Sequence, residues 1–499
     1  MSLATLYTRA VIGVEAPLVT VEVHLSGGLP QMAIVGMAET AVKESKDRVR
    51  SALINAQFDF PASRITINLA PADLPKGGGR YDLAIALGIL VASGQIPAAA
   101  LRDTEVMGEL SLSGELRPVQ GVLPAAMAAQ NAGRTLLLPS ANAEEIGLLT
   151  ECQAFAADHL LTLCGHLRGQ APLLPVPTQR PEAIHIAADM ADIKGQPQAR
   201  KALEVAAAGG HNLLFFGPPG TGKTLLASRL PGILPALSTA EALDVAAIKS
   251  ITGQAIQWGQ RPFRAPHHTC SGAALVGGGS VPRPGEITLA HHGVLFLDEL
   301  TEFNRSTLDV LREPLESGEI VISRAARKTT FPARFQLVAA MNPTPGGYGA
   351  NDQRSRGYTP DQLQRYLSRL SGPFLDRIDL YVEVPTVPPQ VLQGRTAGEG
   401  SAAVRERVQR AWERQQARQQ KQNRDLTSTE LYELGMLAPE QRQLIIDLAE
   451  RFRLSARAQH RIEKVALTLA DLEGATSITK AHLIEALNLR QLDRLGVAT

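Results

Sequence analysis

The arrangement of hydrophobic and polar positions changes twice along the chain. Near the N-terminus, apolar and polar residues alternate in TVEVHL (20–25) and RITINLAP (64–71), which predicts half-buried strands, and YDLAIALGILVA (81–92) predicts a buried helix. Between residues 195 and 385, short apolar runs alternate with helical segments, which favours a parallel sheet covered by helices. Residues 402–499 are helical in pattern throughout. The chain is therefore predicted to be a multidomain α/β protein.

Two proline-rich segments, 171–181 and 384–401, interrupt these patterns. Proline ends helices and stiffens linkers, so both segments predict boundaries. We expect five successive regions, namely a domain at 1–170, a linker at 171–190, a central domain at 191–385, a linker at 386–401 and a helical region at 402–499.

Composition narrows the class of protein. Of 499 residues, 44% are hydrophobic and 20% are charged, with a net charge of +1, which is typical of a globular chain and not of a disordered or fibrous one. Apolar runs are too short to span a membrane, and the N-terminal segment is interrupted by Arg9 and Glu15, unlike a secretory signal. Three cysteines support neither a disulfide framework nor a zinc pattern. We expect a cytoplasmic protein that does not span a membrane.

A glycine-rich loop stands between an apolar run and a helical segment in NLLFF-GPPGTGKT-LLASRL (212–230). Backbone N–H groups of such a loop and of the following helix N-terminus wrap phosphates. The lysine reaches the β- and γ-phosphates, and the threonine hydroxyl can ligate Mg²⁺. The pattern predicts that ATP or GTP binds at these residues: Gly217, Pro218, Pro219, Gly220, Thr221, Gly222, Lys223 and Thr224.

Two further apolar runs end in polar residues. GVLFLDEL (293–300) ends in Asp298 and Glu299, and FQLVAAMNP (335–343) ends in Asn342. Because the carboxyl ends of parallel strands meet at one edge of a sheet, we expect Asp298 to hold Mg²⁺, Glu299 to polarise the attacking water and Asn342 to orient it. Each ending alone is also typical of an ordinary turn.

Basic residues outside these strands are candidates for contact with phosphate. Arg377 lies between two aspartates just before a predicted strand, and Arg457 and Arg461 lie one turn apart on a predicted helix. The alternatives are a surface ion-pair cluster and a solvated helix face. The segment 402–424, with seven basic and two acidic residues, leaves the same choice between a solvated face and a nucleic-acid contact.

In their order along the chain, these motifs resemble those of AAA+ ATPases. Longer stretches narrow the resemblance to the ComM/YifB family of magnesium-chelatase-like AAA+ proteins, and it covers essentially the full chain. The stretches are DIKGQPQARKALEVAAAGGHNLLFFGPPGTGKT (192–224), RPFRAPHHT (261–269), PRPGEITLAHHGVLFLDEL (282–300) and LSGPFLDRIDLYVEVP (370–385). The resemblance implies a homohexameric, DNA-dependent ATPase that uses ATP and Mg²⁺. Competence members of the family act as helicases that promote branch migration of DNA during natural transformation and homologous recombination.

The resemblance also implies residue roles. Lys223, Glu299 and Asn342 would act in catalysis, Arg377 would be an arginine finger for a neighbouring subunit, and Arg457 would be the second sensor. The implied adenine pocket is lined by Ile193, Gly195 and Gln196.

In AAA+ relatives a hairpin before the first sensor projects into the central pore, and GEIVISRAARKTTFPARF (318–335) reads as strand, basic turn, strand. The residues of its tip that would track single-stranded or branched DNA are Arg324, Arg327 and Lys328. The glycine-rich segment 272–287 is long, as a mobile pore loop would be. Two ordinary surface excursions are the alternative.

Residues 1–170 resemble the Lon-protease-like α+β fold without its Ser–Lys dyad. The segments that carry the dyad read Gly-Arg-Tyr-Asp at 79–82 and Val-Leu-Pro-Ala at 122–125, so both nucleophile and base are missing. We expect a non-proteolytic module for assembly or DNA binding. The complete prediction is this module, an AAA+ P-loop core with a parallel sheet at 191–385, and a C-terminal helical lid at 402–499.

Metal ions other than Mg²⁺ have two candidate sites. Many relatives carry cysteines after the position of Asn342, and this chain has none, so a metal-bound loop is not expected there. The pairs His267/His268 and His291/His292 are candidates for a metal, with loop packing or substrate contact as the alternative.

Two functions stay open from the sequence. The first is a DNA motor, which the resemblance and the basic hairpin favour. The second is an AAA+ remodeller or chelatase-type motor that acts on a protein partner. Stimulation of the ATPase by DNA distinguishes them.

Overall fold

The computed structural model describes residues 2–36, 39–181, 188–279, 282–324, 327–344, 362, 365–366, 368–393 and 398–491. The chain divides into two compact units: residues 1–183 with 246–258, and residues 184–245 with 259–499. In the described ranges, every helix is too short or too polar to cross a bilayer.

The first unit contains a seven-stranded mixed sheet in the order β3-β4-β2-β1-β5-β8-β9. Its strands are β1 (Ser2–Arg9), β2 (Leu18–Ser26), β3 (Gln31–Val35), β4 (Arg64–Ala70), β5 (Thr104–Val106), β6 (Glu109–Leu110), β7 (Leu116–Arg117), β8 (Thr135–Pro139) and β9 (Ala154–Ala157). Its helices are α1 (Thr40–Lys43), α2 (Ser45–Asn55), α3 (Asp82–Ala92), α4 (Val122–Asn131), α5 (Ala143–Ile146) and α6 (Leu160–Leu167). The short strands β6 and β7 pair separately and antiparallel.

The predicted alternation decides which face of this sheet is covered. Val19, Val21 and Val23 of β2 are fully buried while the residues between them are partly exposed. The apolar helix α3 packs on β1 and β2, and its side chains are buried almost all round. The strands at 20–25 and 64–71 and the helix at 81–92 are confirmed, because apolar burial favours these elements over any alternative.

The first unit contains two segments that the sequence pattern did not assign to it. They are the proline-rich residues 171–181 and residues 246–258. Backbone hydrogen bonds of 2.8 Å tie Val176 to Ala154 and Gln179 to Gly147. Residues 246–258 also belong to the first unit, although they lie much later in the sequence. Ser250 Oγ donates to the partly buried Glu145 carboxylate at 2.5 Å.

The second unit is built on a parallel sheet in the order β11-β14-β17-β10-β18. Its strands are β10 (Leu213–Phe216), β11 (Phe263–Arg264), β12 (Gly277–Gly278), β13 (Arg283–Pro284), β14 (Val294–Leu297), β15 (Glu319–Arg324), β16 (Arg327–Pro332), β17 (Gln336–Met341) and β18 (Leu380–Glu383). β10, β14 and β17 are buried along their whole length, which explains why they read as unbroken apolar runs.

Helices of the second unit pack on this sheet and beside it. They are α7 (Pro197–Gly209), α8 (Lys223–Ile233), α9 (Thr239–Thr252), α10 (Gly272–Val276), α11 (Glu286–Leu289), α12 (Arg305–Asp309), α13 (Arg312–Ser317), α14 (Gly372–Leu375), α15 (Pro389–Gln393), α16 (Ser401–Gln419), α17 (Ser428–Glu433), α18 (Pro439–Phe452), α19 (Ala456–Glu473) and α20 (Lys480–Asn488). From residue 246 onward, α9 belongs to the first unit. The C-terminal helices α16 and α19 pack on α7 and share its apolar core, so the helical pattern predicted after residue 402 is confirmed in the described part.

Candidate nucleotide site and arginine groove

The glycine-rich loop joins β10 to α8 at the carboxyl edge of the parallel sheet. A Cβ atom at Gly217 would lie 2.2 Å from the carbonyl oxygen of Val384, so only glycine fits where the loop leaves β10. Gly222 has a φ of +89° and is the N-cap of α8, a left-handed conformation that glycine adopts without strain. The first N–H groups of α8 are therefore available to an anion held by the loop.

Lys223 is held at the centre of this loop. Its Nζ donates to the carbonyl oxygens of Gly217 at 2.7 Å and Pro218 at 2.8 Å, and to Asn342 Oδ1 at 3.1 Å. The residue is only 8% exposed. Burial lowers the pKa of Lys223, and the nearby Asp298 carboxylate opposes that effect. The ammonium is thus positioned by neutral acceptors that a phosphate oxygen can replace.

Thr224 and Asp298 form a donor set that suits Mg²⁺. Thr224 Oγ1 donates to Asp298 Oδ2 at 2.7 Å, which joins the first turn of α8 to the end of β14. A hydroxyl and a carboxylate oxygen at the edge of a phosphate loop are the hard oxygen ligands that Mg²⁺ takes from a protein, with phosphate and water completing its shell. The residues present therefore fit the ion.

Glu299 is presented in an unusual backbone conformation beside a histidine. It has a φ of +50°, and its N–H donates to Asp298 Oδ1 at 2.9 Å. Its Oε2 lies 3.0 Å from Nδ1 of His268. The His268 ring also lies 4.1 Å from the ring of His267, centroid to centroid. The sequence did not assign His268 to this carboxylate.

Asn342 lies where β17 ends and completes the group around Lys223. Its backbone oxygen accepts a hydrogen bond from the Tyr366 hydroxyl at 3.2 Å, and that hydroxyl accepts one from Thr301 at 2.7 Å. The side-chain oxygen is left to Lys223. Four of the predicted residues, on three different elements, therefore meet at one edge of the sheet: Lys223, Thr224, Asp298 and Asn342.

The predicted adenine-pocket residues lie close to the same edge. Gln196 Nε2 donates to the carbonyl oxygen of Pro385 at 2.5 Å, and Pro385 follows Val384, which touches Gly217. Ile193 is buried, and with Gly195 it lines a cleft of about 630 Å³.

Arg377, by contrast, lies at the amino edge of the sheet. β18 runs parallel to β10 with Leu380 beside Leu213, so the residues before Leu380 lie at the edge opposite the phosphate loop. The strands have four residues, which separates the two edges by roughly 13 Å. All three guanidinium nitrogens of Arg377 bind its own chain: the Glu316 carboxylate, the Pro373 carbonyl and, at 3.3 Å, the Arg312 carbonyl.

Arg457 lies in the same groove as Arg377. Arg457 Nη1 donates to Asp376 Oδ2 at 2.8 Å, and its side chain is 70% exposed. The groove has a volume of about 580 Å³. Its basic lining residues are Arg334, Arg377, Lys421, Arg424, Arg457, Arg461 and Lys464. The two candidate arginines are thus brought together, but away from the phosphate loop of their own chain.

Asp379 anchors this groove from inside. It is 6% exposed and accepts the N–H of Asn212 at 2.9 Å and a hydrogen bond from Arg461. Although burial alone would raise it, the pKa of the Asp379 carboxyl is held well below its ordinary value by Arg461, His211 and the Asn212 N–H. Asn212 also donates to the Arg377 carbonyl at 2.8 Å, which fixes the backbone that carries the arginine.

Known proteins resemble the chain along nearly its whole length. It matches the family "Magnesium chelatase, subunit ChlI" at 189–392, "Subunit ChlI of Mg-chelatase" at 21–142 and "Magnesium chelatase, subunit ChlI C-terminal" at 398–490. It is 53% identical over 505 residues to "Uncharacterized protein YifB" of Salmonella typhimurium, covering 99% of this chain and 98% of that protein. It is 52% identical over 507 residues to "Competence protein ComM" of Haemophilus influenzae, covering 99% of each.

The chain belongs to the ComM/YifB family of magnesium-chelatase-like proteins. A more distant relative matches only part of the chain. The "Magnesium-chelatase 38 kDa subunit" of Rhodobacter capsulatus is 29% identical over 174 residues, which is 31% of this chain and 50% of that protein.

In this ComM/YifB-family chain the segment 318–335 forms the predicted hairpin. β15 and β16 pair antiparallel, with Arg324 opposite Arg327 and Ser323 opposite Lys328. Lys328 is exposed, while the side chains of Arg324 and Arg327 lie outside the described residues. The glycine-rich segment 272–287 contains α10 and the paired strands β12 and β13 in its described part.

The histidine pair before β14 is better suited to hydrogen bonding than to a metal. Ligand atoms of His291, His292 and Asp244 lie within 4.8 Å of one another. However, Nδ1 of His291 accepts the backbone N–H of Arg334 at 3.0 Å, and burial, with His292 nearby, lowers its pKa to about 3. The neutral ring therefore keeps its proton on Nε2, so neither nitrogen has a free lone pair for a metal. Loop packing is the interpretation that this geometry favours.

Three arginines of the basic segment at 402–424 pair with other residues of the second unit. Arg407 Nε pairs with Glu204 of α7 at 2.6 Å, and Arg418 pairs with the buried Asp471 at 2.6 Å. Arg424 donates to the carbonyl oxygens of Gly210 at 3.0 Å and Phe335 at 3.2 Å. These three arginines are therefore paired within the protein. Neither of the interpretations made from the sequence, a solvated face or a nucleic-acid contact, describes them.

Proposed function

We propose that this chain is an ATP-hydrolysing motor that assembles as a homohexamer and promotes branch migration on single-stranded and branched DNA, in natural transformation and homologous recombination. The convergence of Lys223, Thr224, Asp298 and Asn342 at one sheet edge supports the ATPase. Resemblance to the helicases of the family supports the DNA substrate. In this proposal residues 1–170 are a non-proteolytic module, 191–385 the ATPase core and 402–499 the lid.

Each residue of the site has one task in hydrolysis. Lys223 exchanges its carbonyl partners for the β- and γ-phosphates of ATP. Thr224 and Asp298 would hold Mg²⁺, which neutralises phosphate charge when it is bound. Glu299 accepts a proton from the attacking water, and Asn342 orients that water beside the γ-phosphate.

The arginines complete the site of a neighbouring subunit. Arg377 and Arg457 lie at the edge opposite the phosphate loop, so within one chain neither is near the phosphates. In a head-to-tail ring the amino edge of one subunit faces the loop of the next. The groove, with seven basic side chains, would then meet the triphosphate and stabilise its transition-state charge.

Mixing two inactive variants tests this arrangement. A Glu299→Gln subunit has an intact Arg377 but an inactive ATP site. An Arg377→Ala subunit has an intact ATP site but no arginine for its neighbour. Each variant alone is expected to hydrolyse ATP poorly. Equimolar mixed rings are expected to recover about one quarter of the parental rate, because one interface in four pairs an intact loop with an intact arginine. Pull-down with two affinity tags verifies co-assembly, and co-assembled rings without activity would contradict the proposal.

The hairpin of β15 and β16 is proposed to grip DNA. Lys328 is exposed beside the turn. A positively charged side chain there can contact DNA phosphates, and such contact does not depend on the DNA sequence. A relative of nearly equal length is named a competence protein, which supports DNA as the substrate.

Replacing Arg324, Arg327 and Lys328 by alanine is expected to bring the ratio of DNA-stimulated to DNA-free ATPase close to one. The salt slope of DNA binding, measured by anisotropy, is expected to become shallower by up to about one unit per lost contact. A control that neutralises three exposed basic residues elsewhere in the second unit, Arg305, Arg451 and Lys480, should keep stimulation. If DNA does not stimulate even the parental protein, the chelatase-type motor on a protein partner becomes the better proposal, as the partial match to a magnesium-chelatase subunit would suggest.

A further inference from the structure

The guanidinium group of Arg377 is hydrogen-bonded within its own chain, although we propose that it acts on the ATP of a neighbouring subunit. Its Nη2 binds the Glu316 carboxylate, its Nη1 the Pro373 carbonyl and its Nε the Arg312 carbonyl. The Arg377 side chain is only 13% exposed. An arginine in this position cannot reach a phosphate on another subunit until its terminal nitrogens are released.

Of the three partners of Arg377, Glu316 is the one whose contact can be broken most easily. The Pro373 and Arg312 carbonyls belong to the backbone, whereas Glu316 is a flexible side chain that is 67% exposed. Ion pairs open to solvent are weak and exchange readily for another anion. A triphosphate offered by a neighbouring subunit is such an anion and carries more charge than one carboxylate.

Charge in the groove explains why a carboxylate is needed there. Burial lowers the pKa of Arg377, Glu316 raises it, and the arginines Arg312, Arg457 and Arg461 lower it again by repulsion. Glu316 therefore offsets the repulsion between Arg377 and the rest of the basic groove while no phosphate is bound.

The element that carries Glu316 continues directly into the proposed DNA hairpin. α13 ends at Ser317, and β15 begins at Glu319. The Glu319 N–H donates to Ser317 Oγ at 3.1 Å, and the Ala333 N–H donates to the Gly318 carbonyl at 2.7 Å. These bonds join the end of α13 to both strands of the hairpin at its base. A displacement of the hairpin is thereby passed to Glu316.

We propose that Glu316 is a restraint on Arg377 that is released when the hairpin engages DNA. This inference rests on the proposed function, since it takes Arg377 as the residue that completes a neighbouring ATP site. Without DNA, Glu316 keeps Arg377 folded back on its own chain and hydrolysis is slow. With DNA on the hairpin, α13 shifts, the pair opens and Arg377 reaches the neighbour's phosphates. Glu316 is a positioning residue and does not itself touch ATP.

Glu316→Gln tests the restraint because it keeps the side-chain shape and removes the charge. The DNA-free ATPase rate is expected to rise about three- to tenfold, while the rate at saturating DNA stays at the parental value. The stimulation ratio therefore falls by the same factor. The matched control is Glu313→Gln, an exposed glutamate one turn earlier on α13 that is not among the residues lining the groove, and it should keep the parental ratio.

A double variant separates this inference from the proposed function. Adding Arg377→Ala to Glu316→Gln should abolish the gain, since the gain acts through Arg377. A DNA-free rate that is unchanged or lower in Glu316→Gln, while Arg377→Ala alone is inactive, overturns the restraint and leaves the proposed function intact. If Arg377→Ala alone hydrolyses ATP normally, the proposed role of Arg377 is wrong and the restraint is wrong with it. Size-exclusion chromatography with ATP verifies that all variants assemble equally.

Discussion

Lys223→Ala is expected to abolish detectable ATP binding and to lower ATP hydrolysis by at least about two orders of magnitude. The ammonium is the one charged group that the loop directs at the phosphates, and its three present partners are neutral oxygens. Alanine leaves those oxygens facing the triphosphate, so the site loses an attraction and gains a repulsion. Anisotropy of a fluorescent ATP analogue measures binding, and phosphate release measures turnover.

Glu299→Gln provides the comparison for that result. The amide keeps the size of the side chain but cannot accept a proton from water, so binding should persist while turnover falls by about 10²- to 10⁴-fold. Loss of both properties in Lys223→Ala and of turnover alone in Glu299→Gln would separate the two roles. Normal turnover by the glutamine variant would remove Glu299 from its proposed task.

Asp379→Ala is expected to lower the free energy of unfolding of the second unit by about 3 kcal/mol. The substitution leaves Arg461, whose side chain is 20% exposed, without its carboxylate partner and the N–H of the buried Asn212 without an acceptor. Urea unfolding followed by the fluorescence of Trp412, in a Trp258→Phe background, reports this unit alone. Asp376→Ala, three residues earlier, is the control, since its exposed pair with Arg457 should contribute no more than about 1 kcal/mol.

The stability that Asp379 contributes should depend on pH in one direction. Its pKa is lowered in the folded state from an ordinary value of 3.8, so the carboxylate stabilises the fold fully above that value. As pH falls below 3.8 towards the folded-state pKa, the contribution is lost. The difference in the free energy of unfolding between the parental protein and Asp379→Ala, measured by urea titration, should therefore become smaller as the pH falls from about 5 to about 2. A constant difference would contradict the electrostatic account.

The central strands and the phosphate loop were predictable because their causes are local. A strand buried on both faces must be apolar throughout, and a turn that approaches Val384 as closely as Gly217 does must be glycine. Parallel strands bring their carboxyl ends to one edge, so the sequence alone predicts that Lys223, Asp298 and Asn342 meet there.

The contacts that the sequence missed depend on the order of strands in the sheet. β11 lies beside β14, so the residues after each strand become neighbours, and His268 reaches Glu299 although 31 positions separate them. The pair of Glu316 and Arg377 joins α13 to the segment before β18, elements that are far apart in the sequence. Neither spacing follows a helix or strand period, and only the tertiary arrangement makes them partners. The sequence also did not predict that residues 246–258 belong to the first unit. Their apolar pattern indicates that they are buried but not in which of the two cores.

The opposite placement of the phosphate loop and the arginine groove has a consequence for enzymology. On the proposed arrangement, a solitary chain owns halves of two different catalytic centres and no complete one. Specific activity should then climb with protein concentration and vanish on dilution below the assembly range. A circle of subunits with a single seam loses one centre, whereas an unbroken circle has as many centres as subunits. The rate per chain would thus report how completely the circle is closed.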